Sequence, residues 1–433
     1  MVDPRSHYDF DPKNYTQPTP KAPVPKLKPV KHTSVQLVLN IVSEEQLRRA
    51  STGQNWVAIQ DCEARWCWPL RSGRFRNYLI AQHRERYGRL PSDGSLRAAI
   101  RLMEGRCTPM GAGPARRIGG DGRRNIVLDL ADGPAGAVEI TPEGWTYHFQ
   151  FDKYPFYRPQ GIFDIHKPEG PGSLDPLREL LHPATPADWL RIQAWLLAAL
   201  RPQGPYPILV LQGPSGCGKS VAARMLRSLI DPAESPFTPL PANERRLHSL
   251  ALQNWVLAFD HISSLPSRMS DALCRLSSGA GFSMKETSSS DPLYFDLQRP
   301  MILTVPGNTT WTPPAELQER MLTATLAPLT AADRRPESEL QEKFKQQQPA
   351  ILAALCDAVS MALRRRQELP AQGTDTEIWA QAAAPALNAT DQEMREALAT
   401  SKFQTQPDPL INQIDDLVSN APNPSGQARP RSY

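Results

Sequence analysis

Apolar and polar positions divide the chain into segments of different character. Order is expected to begin near "SVQLVLNIVSEEQLRRA", from Ser34. As far as Gln150, basic helical stretches ("SGRFRNYLIAQHRERYG", "SDGSLRAAIRLMEG") mix with short strand patterns ("NIVLDL", "GAVEI", "GWTYHFQ"), as in a small α+β unit. Ser92 and Asp93 stand where a cap of the second helix is expected. "FYRPQGIFDIHKPEGPGSLDPL" is rich in Pro and Gly and reads as a linker. The apolar helix Ala187–Leu200, interrupted by Arg191 and Gln193, then leads into strands alternating with helices up to about Leu329. That alternation predicts an α/β layer with a parallel sheet. A long helical stretch ("QEKFKQQQPAILAALCDAVSMALRRRQEL") follows, and from about Phe403 the chain turns polar. No internal repeat is visible.

Composition sharpens the picture in three places. Seven prolines before position 30 alternate with Lys21, Lys26 and Lys28, so the first 33 residues cannot bury a core. Residues 1–125 carry 22 Lys and Arg against 11 Asp and Glu, whereas the remainder carries 27 against 34. A basic front half fits contact with nucleic acid, the alternative being a solvated basic surface. No apolar run approaches the ~18 residues of a membrane span, and the N-terminus has no secretory h-region. The six cysteines form no metal-binding spacing, and "CEARWC" is a C-x₄-C with no second pair. Together these features lead us to expect a cytoplasmic protein.

One motif carries chemistry. In "PILVLQGPSGCGKSVAARMLRSLI" a short apolar strand, Pro207–Gln212, runs into Gly213, Pro214, Ser215, Gly216, Cys217, Gly218, Lys219 and Ser220. This is G-x-x-x-x-G-K-[ST], followed by a helical pattern over Val221–Ile230. Strand, loop and helix in that order are the context in which the motif is a phosphate-binding P-loop; a glycine turn without nucleotide is the alternative. The glycines let backbone N–H groups curl round phosphate oxygens, and the helix N-terminus adds its positive end. Lys219 is expected between the β- and γ-phosphates of ATP, with Ser220 on Mg²⁺. Cys217 reads as a small filler.

Forty residues beyond Ser220, the run Trp255–Phe259 ends on Asp260, a second candidate Mg²⁺ ligand. A third strand, "RPMILTVPGN", puts Thr304 or Asn308 at its polar end, where either could orient the attacking water. His261 occupies the position at which many such ATPases have a glutamate base. Its pKa would rise beside phosphates and Asp260, and a protonated imidazole is a poor base. Glu244 is the candidate base instead, the alternative being a carboxylate that favours the start of a helix.

"LQGPSGCGKS", "WVLAFDHISSLPSRMSDALCRLSSGAGFS", "FDLQRPMILT" and "LQERML" resemble ATP-binding helicase-type proteins of phages and integrated mobile elements. These lie near the superfamily III and primase-associated helicases, within the AAA+ class. The likeness runs roughly from Trp56 to Leu363 and is most specific over 207–322. It implies ATP and Mg²⁺ held by Gly213–Ser220 and Asp260, and a sensor at Thr304, where the group more often has Asn. At His261 the group usually has Asn. It further implies Arg320 as an arginine finger reaching a neighbour's ATP, which requires a homo-oligomeric ring, commonly of six; a surface helix arginine is the alternative. Arg334 or Arg335 could be a further sensor. Between the last two strands, "GFSMKETSSSDPLYFDL" would form a hairpin pointing at DNA, with Lys285 on a phosphate; otherwise Lys285 is a solvated loop lysine.

The expected fold class is thus an α/β P-loop NTPase, AAA+-like core with a basic N-terminal α+β domain and a helical C-terminal region. Its expected divisions are a disordered tail at 1–33, the basic domain at 34–155, a linker at 156–186 and the ATPase domain at 187–335. The helical region follows at 336–400, then a second disordered tail at 401–433. The leading function is an ATP-driven DNA helicase or translocase in replication of a mobile element, acting on single-stranded DNA. A primase or other replication protein would be on a separate chain, since no paired-carboxylate polymerase site stands out. A non-helicase P-loop ATPase or kinase, and a degenerate ATP-binding subunit with little turnover, are the competing readings.

Overall fold

The computed structural model describes residues 33–60, 65–111, 113–133, 136–151, 153–285, 292–307, 311–370 and 372–401. The two expected tails lie almost wholly outside these, as do Cys62 and Asn308. The chain is an α/β protein of mixed sheets and helices. Its first body contains α1 (Ser34–Leu39), β1 (Leu47–Arg49), β2 (Asn55–Gln60), β3 (Arg65–Pro69), α2 (Gly73–Tyr87), α3 (Asp93–Gly105) and β4 (Thr108–Pro109). The strands form a sheet in the order β3-β2-β1-β4. Ser72 and Ser92 cap α2 and α3 by accepting the N–H groups of Phe75 and Ser95 at 3.2 and 3.1 Å. Positions four apart on α2 (Phe75, Leu79) and the helical set Leu96, Ala99 and Met103 on α3 fill this body's core.

A second sheet, antiparallel in sequence order, follows: β5 (Ile118–Gly119), β6 (Ile126–Asp129), β7 (Ala137–Thr141) and β8 (Gly144–His148). Its two faces serve different neighbours, because side chains alternate along a strand. Ile126, Leu128, Val138 and Ile140 join the main core, whereas Val127 and Ala137 pack with Phe151 on the other side. The sequence groups these strands with the basic helices. In the structure one face of the sheet, through Ile126, Leu128, Val138 and Ile140, is buried with elements from the C-terminal half, α10 among them, instead. The stretch 156–186 also differs from a free linker. Ile165 is fully buried and its N–H donates to Leu130 O at 2.8 Å. Leu177 and Leu181 of α4 (Asp175–Leu181) enter the same core.

α5 (Pro186–Ala199) precedes the third sheet, which is parallel. In chain order its region holds β9 (Ile208–Gln212), α6 (Lys219–Ile230), α7 (Glu244–Gln253), β10 (Leu257–Phe259) and α8 (Ser267–Ser278). The hairpin β11 (Ala280–Lys285) and β12 (Pro292–Leu297) then precedes β13 (Met301–Thr304), α9 (Ala315–Gln318) and β14 (Met321–Thr325). Strand order is β10-β13-β9-β14. Every residue of β9 is buried, Leu209 and Leu211 towards one core and Ile208 and Val210 towards another. Burial on both faces is why this strand is continuously apolar rather than alternating. α10 (Glu337–Arg365), α11 (Asp375–Ala383) and α12 (Asp391–Ala399) complete the main core, α10 lying against both α6 and the second sheet.

A buried ion pair connects the second and third sheets. Arg117, 1 % exposed, donates from Nε to Asp231 Oδ1 at 3.1 Å, and Asp231 is 2 % exposed. Arg117 also donates to the carbonyls of Asp129 (3.2 Å) and Phe163. Asp231 caps the C-terminus of α6, and its Oδ2 accepts the N–H groups of Trp255 and Val256 at 2.8 and 3.0 Å. Removing one member leaves the other charged and buried, a loss of about 3–5 kcal/mol. Arg117→Met is therefore expected to lower the urea unfolding midpoint by that equivalent. Adding Asp231→Leu should restore only part of it, because two backbone N–H groups then lose their acceptor.

Candidate functional site

The carboxyl ends of β9, β10 and β13 meet at one edge of the parallel sheet. This edge is where open α/β sheets bind ligands, at the point where the strand order reverses. Here the chain leaves β9 for β10, two places to one side, and later returns to β14 on the other side of β9. The loop Gly213–Gly218 starts at the reversal and delivers α6 with its N-terminus towards the crevice. Gly213 has φ +140°, and a Cβ there would stand 2.6 Å from Leu326 O. Gly307, after β13, approaches the loop from the other side, where a Cβ would lie 2.6 Å from the N of Ser215. Glycine at both positions is what lets three backbone segments converge. Sequence inspection missed Gly307, whose only signal was its place three residues beyond a buried strand.

Lys219 folds back on the loop, its Nζ donating to the carbonyls of Gly213 and Pro214 at 2.8 and 2.9 Å. Ser220 Oγ donates to Asp260, 2.8 Å from Oδ1 and 3.0 Å from Oδ2. The hydroxyl of buried Thr304 donates to the same carboxylate and accepts the N–H of His261 at 2.8 Å. Lys219, Ser220, Asp260 and Thr304 thus form one continuous group with the glycine loop. Cys217 is buried beneath it, and burial pushes its thiol pKa above the ordinary range despite the nearby Lys219. This is the environment of an inert filler rather than a nucleophile.

His261 has φ +60°, in the left-handed region, with its side chain exposed. Among non-glycine residues, Asn, Asp and His are the ones enriched there. The position after Asp260 is therefore selected by backbone conformation, and a glutamate would be strained at it.

Other expected site residues lie elsewhere. Glu244 is the first residue of α7; its carboxylate accepts from Arg275 at 2.6 Å and lies 3.6 Å from His248. Arg320 precedes β14, at the amino edge of the sheet, where its guanidinium donates to Glu316 O at 2.5 Å. Since β14 runs parallel to β9 from Met321 opposite Ile208, five residues of strand separate Arg320 from the loop edge. Arg334 and Arg335 are exposed, with Arg335 lying 3.6 Å from Glu339. Lys285 ends β11, paired in register with Pro292, and its side chain lies outside the described residues. The hairpin itself is held by aromatic stacking. The Phe282 ring lies 5.4 Å from that of Phe295 and 3.7 Å from the His248 ring on α7. Burial in this stack holds the His248 pKa below its usual value. On the other side, the Tyr294 N–H donates to Thr52 O in the first body at 3.2 Å.

Among the described residues no helix is long and apolar enough to cross a membrane. No curated protein matches the chain. Among solved structures, the apo C-terminal region of NrS-1 aligns at TM-score 0.43 with 8% identity, over 84% of this chain and 75% of that one. JCV helicase aligns at TM-score 0.28 with 15% identity, over 51% of this chain and 67% of that one. Likeness at this level is too loose to transfer a residue role. The family model of the actinomycete integrative conjugative element replication proteins matches residues 174–394, just over half of the 433. That span contains the glycine loop, Asp260 and Thr304, and on it the chain belongs to the replication-protein family of actinomycete integrative conjugative elements.

Proposed function

We propose that this replication protein is a Mg²⁺-dependent ATPase of the P-loop, AAA+-like class that works as a DNA helicase or translocase, its sites shared between subunits of a ring. One observation carries the reading: residues 40 apart, Ser220 and Asp260, meet at 2.8 Å beside a glycine loop that caps a helix. A hydroxyl and a carboxylate at one point suit a hard cation that keeps water and phosphate as its remaining ligands. When bound, Mg²⁺ would neutralise charge on the phosphate oxygens. The backbone N–H groups of Gly213–Ser220 and the N-terminus of α6 would hold the phosphates. Lys219 would exchange two loop carbonyls for phosphate oxygens, and Thr304 holds the Asp260 carboxylate in place.

Arg320 supports the ring. Five strand residues at about 3.3 Å each put it far from its own loop, so as a finger it would serve the neighbouring subunit's ATP. Glu244 remains the candidate base, and with its carboxylate on Arg275 it acts only in a state in which that ion pair opens. The β11–β12 hairpin, with Lys285 at its end, is the candidate DNA-gripping element. A specific observation favours a second reading, an ATP-binding subunit with little turnover: the Thr304 hydroxyl and the Glu244 carboxylate are both already engaged.

ATP turnover, measured with and without single-stranded DNA, separates the two readings. Lys219→Ala and Asp260→Asn should each lower turnover on the order of a hundredfold or more; full activity in Lys219→Ala would sink the ATPase reading. His261→Asn should keep turnover, since Asn suits the left-handed backbone and neither side chain is the base. Glu244→Gln should leave ATP bound but unhydrolysed. Lys285→Ala should remove the DNA-stimulated increment and spare the basal rate, whereas equal loss of both would point to misfolding. Mass measurement with nucleotide present tests the ring.

A further inference from the structure

The first body carries a positive surface that the proposed ATPase does not use. α2, the turn 88–92 and α3 follow one another, with Gly88 in a left-handed C-cap. On α3, Leu96, Ala99 and Met103 point inward. Arg97 and Arg101 fall on the opposite side and are exposed. Arg89 in the turn and Arg84, on the outward side of the last turn of α2, are exposed as well. Three neighbouring acids are already paired, Glu104 with Arg71, Asp93 with Arg76 and Glu44 with Arg106, and Glu85, beside Arg84, accepts a hydrogen bond from Gln82 at 3.0 Å. Among the described residues the side chains of Arg84, Arg89, Arg97 and Arg101 have no acidic or hydrogen-bonding partner. Four exposed guanidinium groups without an ion pair, on α2, the turn and α3, suit a polyanion.

We propose that α3 is a duplex-DNA-docking helix, with Arg97 and Arg101 on phosphates at a groove and Arg89 and Arg84 beside them. This rests on the action on DNA proposed above, and is independent of ATP hydrolysis. Three features favour a duplex. α3 packs on α1 rather than on α2, and its arginine-bearing side is exposed. An α-helix of about 10–12 Å diameter fits a major groove about 12 Å wide. The outward face of α3 also carries Gly94 and Gly105, so its backbone can come close. Single-strand binding relies on exposed aromatic platforms, whereas the exposed large side chains here are Leu90 and Leu102, and no aromatic residue of α2 or α3 is among them. Two leucines also offer little apolar area for insertion into a membrane surface.

The test uses the full chain without nucleotide, titrated against a random-sequence duplex oligonucleotide at several salt concentrations by fluorescence anisotropy. Arg97→Ala/Arg101→Ala should weaken duplex binding on the order of tenfold or more and make the log–log salt dependence shallower by about 1.8, or 0.9 per lost phosphate contact. Arg97→Lys/Arg101→Lys should recover most of the affinity, which a folding defect would not allow. Unchanged affinity and slope in the alanine variant would overturn the proposal. So would a wild type that fails to bind duplex, or losses confined to single strands or to anionic phosphatidylglycerol vesicles. Single-strand-stimulated ATPase should persist in the alanine variant. Conversely, a wild type that binds duplex through these arginines but never turns over ATP removes the ATPase reading and leaves this one standing.

Discussion

The Arg117–Asp231 ion pair is the constraint on which the geometry of the candidate site depends. Asp231 ends the helix that starts at Lys219, and its second oxygen holds the two N–H groups that lead into the strand just before Asp260. One carboxylate therefore fixes the far ends of both elements whose near ends bring Ser220 and Asp260 together. Arg117 reaches it from the second sheet, so that sheet is a support for the site rather than an appendage. Buried charge is expensive unless fully satisfied, and here the cation and the anion both spend their remaining capacity on backbone groups.

At the site itself the same economy recurs on a smaller scale. Thr304 has one proton, and gives it to Asp260 while accepting from the backbone of His261. This pins Asp260 against Ser220 and holds the following residue in a left-handed conformation. Histidine is among the few non-glycine residues that suit such a backbone. Neither Glu244 nor Arg320 joins this group: one is held by Arg275, and the other stands at the opposite edge of the sheet.

Between the first body and the parallel sheet, the β11–β12 hairpin is one physical link. It touches α7 through the His248–Phe282 stack and the first body through the Tyr294–Thr52 hydrogen bond.

Local features were legible in the amino-acid sequence because they depend on neighbours a few residues away. The glycine loop between an apolar strand and an amphipathic helix, and the caps Ser72 and Ser92, are satisfied within three to eight positions. The surplus of arginine in the front half was equally plain. What only the tertiary structure decided are contacts that depend on strand order. The Asp260–Thr304 bond spans 44 residues, the Arg117–Asp231 pair 114, and Gly307 meets a loop almost a hundred positions earlier. The second sheet's choice of core belongs with these, because Ile126 and Ile140 are apolar whichever helix covers them. Hydrophobic pattern tells which face is buried; which partner buries it is settled only when distant segments compete for the same surface.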